Sequence, residues 1–166
     1  MSPFRPDLVD CWITRRVGPD REVLLLRRAP GRILPGLWQC VSGSVEPDER
    51  VALGALRELH EETGIGPERI EAIYDLDLVN QFHEPAYDAV VTAAVFAVLV
   101  RPGTEPVLSQ EHDDARWSSL DDAHRTVIWP GYRTALERIR DDLNDPERAE
   151  WFELDPDGRR KPRRAG

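Results

Sequence analysis

The sequence has little cysteine and no long apolar run. Cys11 and Cys40 are its only two thiols, and a disulfide-dependent secreted domain of this size normally carries more, so we expect reduced, core-facing cysteines and a cytoplasmic protein. No apolar run approaches the roughly 18 residues that a membrane-spanning helix needs. The N-terminus also lacks the basic-then-apolar pattern of a signal peptide. These absences argue against a disulfide scaffold and against a membrane contact.

Positive charge is also scarce. The chain of 166 residues has 22 Lys and Arg against 31 Asp and Glu, which gives a net charge of -9 at pH 7. An acidic surface disfavours stable nucleic-acid binding, and it predicts that cations help any polyphosphate to bind. The length suits one domain, predicted over residues 1–157. Residues 158–166 contain five basic and no acidic side chains, and we expect a flexible basic tail there.

The most informative stretch runs from Gly43 to Ile65. Residues 50–63 are rich in helix formers, and Gly64 follows as a typical left-handed stop, so a helix is predicted over 50–63. At about 100° per residue, its acidic side chains share one side of the helix next to an apolar arc. The acidic side consists of Glu58, Glu61 and Glu62, and the apolar arc of Ala52, Ala55, Leu56 and Leu59.

Three carboxylates on one side of a helix repel one another at neutral pH, so a bound cation is expected between them. Oxygen ligands without clustered Cys or His favour Mg²⁺ or Mn²⁺ over zinc. Gly54 lies on the same side, one turn before Glu58, and its missing side chain would leave room for metal and phosphate. The simpler alternative is a solvated acidic helix face, which is the usual role of a charge run.

The spacing of the whole stretch decides between these alternatives. It matches, without gap or substitution, the Nudix box Gx5Ex7REUxEExGU, in which U is aliphatic. The specified places are filled by Gly43, Glu49, Arg57, Glu58, Leu59, Glu61, Glu62, Gly64 and Ile65. The sequence is therefore identified as a member of the Nudix hydrolase family. This resemblance implies an α/β fold, an α/β/α sandwich with a mixed sheet, and metal-dependent hydrolysis of a nucleoside diphosphate linked to another group.

The resemblance also implies roles for the box residues. Glu58 and Glu62 would be metal ligands with Glu61 beside them, and a backbone carbonyl around Gly43 would add a further ligand. Arg57 would hold the carboxylates in place through an ion pair with Glu49 or Glu62, since a forked, permanently charged donor suits that task. A homodimer is compatible with the family.

A second resemblance covers scattered positions. Trp38-Gln39-Cys-Val-Ser-Gly-Ser-Val-Glu46, followed by Glu111-His112, Trp117 and Trp129, is similar to the bacterial dATP and dihydroneopterin triphosphate pyrophosphohydrolases. In that branch the glutamate of the Glu-His pair is the proposed general base, which corresponds to Glu111. A box glutamate remains the alternative base. On composition alone, residues 111–114 form an acidic loop facing water.

Substrate contacts are predicted near the box. Arg27 and Arg28 end the strand 22–27, and guanidinium groups suit phosphate oxygens. Trp38 is either a core residue or a pocket wall on which a base stacks, with Gln39 hydrogen-bonding the edge of that base. Further strands are predicted at 8–14, 37–42, 70–79, 89–100 and 115–117, and a last helix opens at Pro130.

The expected reaction is hydrolysis of a nucleoside or pterin triphosphate, of the dATP or dihydroneopterin triphosphate type, into a monophosphate and pyrophosphate. ADP-ribose, a dinucleoside polyphosphate or an oxidised nucleotide are alternative substrates. A non-catalytic nucleotide sensor is the alternative from another class, although sensors commonly lose box carboxylates. A further alternative is an RNA-cap or RNA-end hydrolase that binds RNA through the basic tail. The acidic remainder of the chain disfavours RNA binding and therefore this alternative.

Overall fold

A computed structural model describes residues 3–163. Its helices and strands follow one another in an order close to the one predicted from the sequence. They are β1 (Leu8–Val17), β2 (Asp20–Arg28), β3 (Trp38–Gln39), β4 (Val41–Ser44), α1 (Val51–Thr63), β5 (Ile70–Glu84), β6 (Ala89–Val100), β7 (His112–Ser119), α2 (Leu120–Thr126), α3 (Pro130–Arg138), α4 (Pro146–Phe152) and β8 (Glu153–Leu154). Short turns of 3₁₀ and π helix cover Pro67–Arg69 and Ile139–Leu143.

The strands form one mixed, eight-stranded sheet in the order β3-β2-β1-β6-β5-β8, with β4 paired to β1 and β7 paired to β2. The long β1 and β6 strands pair in parallel, and the other pairs are antiparallel. β1 and β2 form a hairpin, and the strand predicted at residues 89–100 is confirmed as β6. β6 lies between β1 and β5, and its side chains from Val95 to Val100 are buried on both faces of the sheet.

Two apolar clusters cover the two faces of the sheet. Ala55 and Leu59 of α1 pack with Cys11 of β1 on one face. Tyr132 and Leu136 of α3 pack with the buried residues of the other face, to which α2 also contributes. Helices on both faces of a mixed sheet confirm the predicted α/β/α sandwich.

Helix α1 begins and ends almost where the sequence predicts. Arg50 precedes it without a capping hydrogen bond from its side chain, and Gly64 ends it with a left-handed φ of 68°. The amide of Gly64 donates to the carbonyl of His60 at 2.8 Å, so the glycine closes the last turn. The apolar arc of the helix packs on the sheet, and Glu58 of its acidic side lies against Gly43 of β4.

Residues 158–163, which belong to the predicted flexible tail, contact α4 and β8. Leu154 and Arg160 form an antiparallel bridge, and the guanidinium of Arg160 donates to the carbonyl of Trp151 at 2.8 Å. The guanidinium of Arg163 lies 3.6 Å from the ring centre of Trp151. Residues 164–166 of that tail lie outside the described residues, and the domain boundary at residue 157 stays a prediction.

One local expectation is wrong. Residues 112–114 do not form a water-facing loop, because β7 already begins at His112. His112 pairs with Arg28 of β2 and is buried. None of the helices within residues 3–163 is long and apolar enough to cross a membrane.

Candidate active site

The Nudix-type box brings a strand end and a helix into direct contact. Gly43 lies in β4, which pairs with β1 opposite Val9, while Glu58 lies in the middle of α1. A Cβ atom built on Gly43 would lie 2.1 Å from Cδ of Glu58. The carboxylate of Glu58 therefore occupies the space that any other residue at position 43 would fill with its side chain.

Arg57 connects the carboxylates of this region. Its Nε and Nη2 donate to the two carboxylate oxygens of Glu49 at 3.0 and 2.7 Å. Its Nη1 donates to Glu58 at 2.8 Å and reaches Glu61 at 3.3 Å. Its Nη2 also donates to the backbone carbonyl of Ser44 at 2.8 Å. One guanidinium thus fixes the loop and three carboxylates, and the predicted pairing with Glu49 is the one that forms.

Gly54 serves a different purpose from the one predicted. A Cβ atom on Gly54 would lie 2.7 Å from a carboxylate oxygen of Glu49. The space over the glycine is therefore occupied by Glu49 and is not open for metal or phosphate. The hydrogen bonds from Arg57 hold the pKa of Glu49 below its usual value.

Glu62 is the most unusual carboxylate of the site. It is only 2 % exposed, and neither of its oxygens has a hydrogen-bond partner within residues 3–163. Burial, followed by the negative charges of Glu111 and Glu58, raises the pKa of Glu62 to about 9. Burial also raises the pKa of Glu58, although Arg57 opposes the shift. Glu61 differs from both, because its side chain is 55 % exposed.

Glu111 is held beside these carboxylates by its backbone. Its carbonyl accepts from the amide of Ala29 at 2.9 Å, and the amide of Ser109 in the same loop donates to the carbonyl of Glu62 at 3.0 Å. The side chain itself is exposed. Because its charge contributes to the raised pKa of both Glu58 and Glu62, Glu111 lies within electrostatic range of the box.

Two buried polar side chains stand behind Glu62. The side-chain nitrogen of Gln39 lies 3.0 Å from Nε2 of His112, and Nδ1 of His112 lies 3.7 Å from Oε2 of Glu62. Burial and the positive charge of Arg28 lower the pKa of His112 to about 4, so the imidazole is neutral. The sequence did not single out His112 for the site. The sequence feature that could have identified His112 as a site residue is its position directly after Glu111.

The predicted substrate-binding residues divide between two faces of the sheet. Arg28 lies near the box, since its charge acts on Glu62 and His112, and Gln39 is buried against His112. Trp38 packs instead against the apolar cluster under α2 and α3. Arg27 lies with Trp38, 5.7 Å from its ring centre, and bonds Asp113 at 2.8 Å. Of the two arginines, Arg28 lies near the box carboxylates and Arg27 does not.

The donor set suits a hard divalent cation. Buried, unpartnered oxygens of Glu62 lie near the carboxylate of Glu58, which itself touches Gly43. Within residues 3–163, no three His, Cys, Asp or Glu side chains are already drawn together as an ion site. Two of these carboxylates, Glu58 and Glu61, are instead paired with the guanidinium of Arg57. Oxygen donors of this kind fit Mg²⁺ or Mn²⁺.

A family model adds the deciding observation, because the NUDIX domain matches residues 5–139. The chain belongs to the NUDIX domain family. The match includes the complete box from Gly43 to Ile65, together with Gln39 and Glu111. It also confirms the family resemblance that the box spacing indicated.

Among proteins with a similar sequence is the octanoyltransferase of Myxococcus xanthus. It is 37% identical over 132 residues, which are 78% of this chain and 35% of that protein. The chain thus spans about a third of the length of this relative.

Solved structures share the Nudix fold. The dihydroneopterin triphosphate pyrophosphohydrolase of E. coli has a TM-score of 0.69 at 24% identity, covering 82% of this chain and 95% of that one. The Ap4A hydrolase of C. elegans, in a binary complex, has a TM-score of 0.67 at 23% identity, covering 80% and 93%. At these identities the likeness establishes a shared fold.

Proposed function

We propose that this Nudix domain hydrolyses a phosphoanhydride bond in a nucleoside or pterin triphosphate and releases a monophosphate and pyrophosphate. Mg²⁺, or alternatively Mn²⁺, would be required. The observation that carries the proposal is the buried, unpartnered carboxylate of Glu62, which lies near enough to Glu58 and Glu111 for their charges to act on it, while Glu58 is paired with Arg57. A carboxylate buried without a partner costs stability, and binding a cation is the simplest reason for keeping it.

The metal ligands would be Glu58 and Glu62, with Glu61 and the backbone carbonyl around Gly43 beside them. A bound divalent cation would neutralise the phosphoryl oxygens and make water a stronger acid. Arg57 orients the carboxylates and does not itself react. Arg28, whose charge acts on Glu62, would bind a phosphate group of the substrate.

Glu111 is the proposed general base. Its backbone is anchored to Ala29 while its side chain is exposed, so the carboxylate can reach a water molecule at the substrate. The alternative base within the box is Glu61, which is also exposed but is held by Arg57 at 3.3 Å. Glu111→Gln and Glu61→Gln distinguish the two. If Glu111 is the base, Glu111→Gln loses kcat about 10²-fold or more and keeps its Mn²⁺ affinity.

The substrate is the less constrained part of the proposal. The fold is shared with a dihydroneopterin triphosphate pyrophosphohydrolase and with an Ap4A hydrolase, so a dinucleoside polyphosphate is a second candidate. ADP-ribose and oxidised nucleotides belong to the same reaction class. A small nucleotide or pterin polyphosphate suits the acidic chain better than a nucleic acid, since the net charge is -9.

The test is product analysis over a substrate panel with Mg²⁺. The panel contains dATP, the other nucleoside triphosphates, dihydroneopterin triphosphate, Ap4A and ADP-ribose. Pyrophosphate and a monophosphate from one triphosphate would support the proposal. If only Ap4A or only ADP-ribose is hydrolysed, the proposed triphosphate substrate is wrong and that compound is the substrate. Tight metal-dependent nucleotide binding without turnover of any member would instead indicate a sensor.

A further inference from the structure

Three buried polar side chains form a chain from the sheet to the Nudix helix. Gln39 of β3 and His112 of β7 are each 4 % exposed, and Glu62 of α1 is 2 % exposed. The separations are 3.0 Å between Gln39 and His112 and 3.7 Å between His112 and Glu62. Burying three polar side chains costs stability unless they hydrogen-bond one another or a ligand.

The contact between Gln39 and His112 determines which ring nitrogen carries the proton. The side-chain nitrogen of Gln39 can only donate, so Nε2 of His112 must accept. A ring whose Nε2 accepts a hydrogen bond carries its proton on Nδ1. Nδ1 has no hydrogen-bond partner within the described residues, and the acceptor in front of it is Oε2 of Glu62.

We propose that Gln39 and His112 are positioning residues that aim the carboxylate of Glu62 at the metal. Gln39 fixes the ring tautomer, and the Nδ1 proton of His112 restrains one oxygen of Glu62, which leaves the other oxygen free for the cation. The present separation is 3.7 Å, and the restraint requires it to shorten to hydrogen-bond distance when Glu62 holds the cation. This inference rests on the proposed function, because it takes Glu62 as a metal ligand. Outer partners of this kind orient ligands in many metal sites.

Two replacements of His112 separate positioning from simple core packing. The amide nitrogen of asparagine falls near the place of Nδ1, so His112→Asn keeps a donor towards Glu62. The longer side chain of His112→Gln places its amide near Nε2, so this variant loses that donor while still meeting Gln39. Gln39→Met removes the hydrogen bond that fixes the tautomer and keeps a side chain of similar length.

The experiment is a titration with Mn²⁺ alone, without nucleotide, followed by the electron paramagnetic resonance signal of free Mn²⁺. We expect His112→Gln to weaken Mn²⁺ binding about 10- to 100-fold and His112→Asn to weaken it clearly less. Gln39→Met should fall between the wild type and His112→Gln. Urea unfolding of each variant shows whether a loss of stability accounts for the change. Equal weakening by His112→Asn and His112→Gln, or no weakening by either, would overturn the proposal.

A double-mutant cycle gives the second measurement. In a Glu62→Gln background, His112→Gln should cause no further loss of Mn²⁺ affinity, because the restraint acts through Glu62. Additive losses would contradict the inference. The outcome is independent of turnover. A protein that binds Mn²⁺ as expected here but cleaves no substrate would contradict the proposed hydrolase and leave the positioning role intact.

Discussion

The carboxylate of Glu58 lies directly against the α-carbon of Gly43, so closely that a Cβ at position 43 would fall 2.1 Å from Cδ of Glu58. The glycine is required here for close approach and not for a left-handed backbone, since its φ is not positive. This contact joins the end of β4 to the centre of α1. The backbone at Gly43 and the carboxylate of Glu58 therefore lie side by side, and we propose both as metal ligands.

Gly43→Ala should displace Glu58. The added methyl group needs the space of the carboxylate, so the 2.8 Å bond from Arg57 to Glu58 would be lost or lengthened. We expect kcat/KM to fall at least about 10-fold, as for the loss of an orienting partner. Ser44→Ala is the matched control, because the Ser44 side chain is exposed and its carbonyl still accepts from Arg57. Steady-state kinetics that show equal activity for both variants would contradict this account of Gly43.

A lysine at position 57 should not restore the function of Arg57, so Arg57→Lys should have low activity. A lysine ammonium is a compact point charge, and it cannot donate at once to Glu49, Glu58 and the Ser44 carbonyl as the planar guanidinium does. We expect kcat to fall about 10- to 100-fold in Arg57→Lys and to a similar extent in Arg57→Ala, with metal titrations and kinetics as the measurement. Full activity of Arg57→Lys would show that only the positive charge matters.

Glu62→Gln should stabilise the metal-free protein and inactivate it. The carboxylate is buried without a hydrogen-bond partner within the described residues. At pH 7 the wild type must protonate this carboxyl group on folding, because burial raises its pKa to about 9, whereas glutamine is already neutral. The free energy of unfolding should therefore rise by about 1–3 kcal/mol. Urea unfolding in the presence of a chelator measures this change. Glu61→Gln is the control, since Glu61 is exposed and its replacement should have little effect on stability. A destabilised Glu62→Gln would mean that the carboxylate has a structural partner.

Asp10 should make stability depend on pH. It is 4 % exposed in β1, and burial raises its pKa to about 6, although Asn80 donates a hydrogen bond at 3.2 Å. The folded protein therefore binds this proton more tightly than the unfolded chain, whose Asp pKa is about 3.9. The contribution to stability is full below pH 4 and is lost as the pH rises through about 6.

Asp10→Asn removes that loss. Relative to the wild type, the variant should gain about 2 kcal/mol of unfolding free energy between pH 4 and pH 7.5, measured by urea unfolding across the range. Asp7→Asn is the control, because hydrogen bonds from Thr92 lower the pKa of Asp7. Its contribution is lost only as the pH falls below the usual Asp range, so it should leave the slope between pH 5 and 7.5 unchanged. An unchanged slope in Asp10→Asn would contradict the prediction.

The box and its helix could be predicted from the sequence because their signals are local. Gly64 ends α1 as expected, and the side of the helix that carries Glu58 and Glu62 follows from helical periodicity. The NUDIX domain match and the mixed sheet confirm the family and the fold. The assignment of individual roles to the box residues stays a proposal.

The surroundings of Glu62 could not be predicted in the same way. His112 is buried because β7 pairs with β2, which lies far away in the chain, and no local pattern marks that pairing. Gly54 illustrates a different difficulty, since a missing side chain does not reveal which neighbour fills the space. Glu49 fills it.

The sequence could have predicted that Arg27 and Arg28 lie on opposite faces of the sheet. Successive residues of a strand point to opposite faces of a sheet, so two adjacent arginines at the end of β2 do not serve the same site. Arg27 bonds Asp113, while the charge of Arg28 acts on Glu62. Their neighbours Trp38 and Gln39 divide in the same manner, and the surface over Trp38 is covered in part by Arg116 at 4.6 Å.

The most direct test of the central claim compares the wild type with Glu58→Gln for hydrolysis of a nucleotide panel, with Mg²⁺ and with a chelator in its place. The account predicts turnover of at least one phosphoanhydride substrate by the wild type, dependent on Mg²⁺ and reduced about 10²-fold or more in Glu58→Gln. Equal turnover by the variant, or turnover that persists in chelator, would contradict the assignment of the Nudix carboxylates as the metal-holding site.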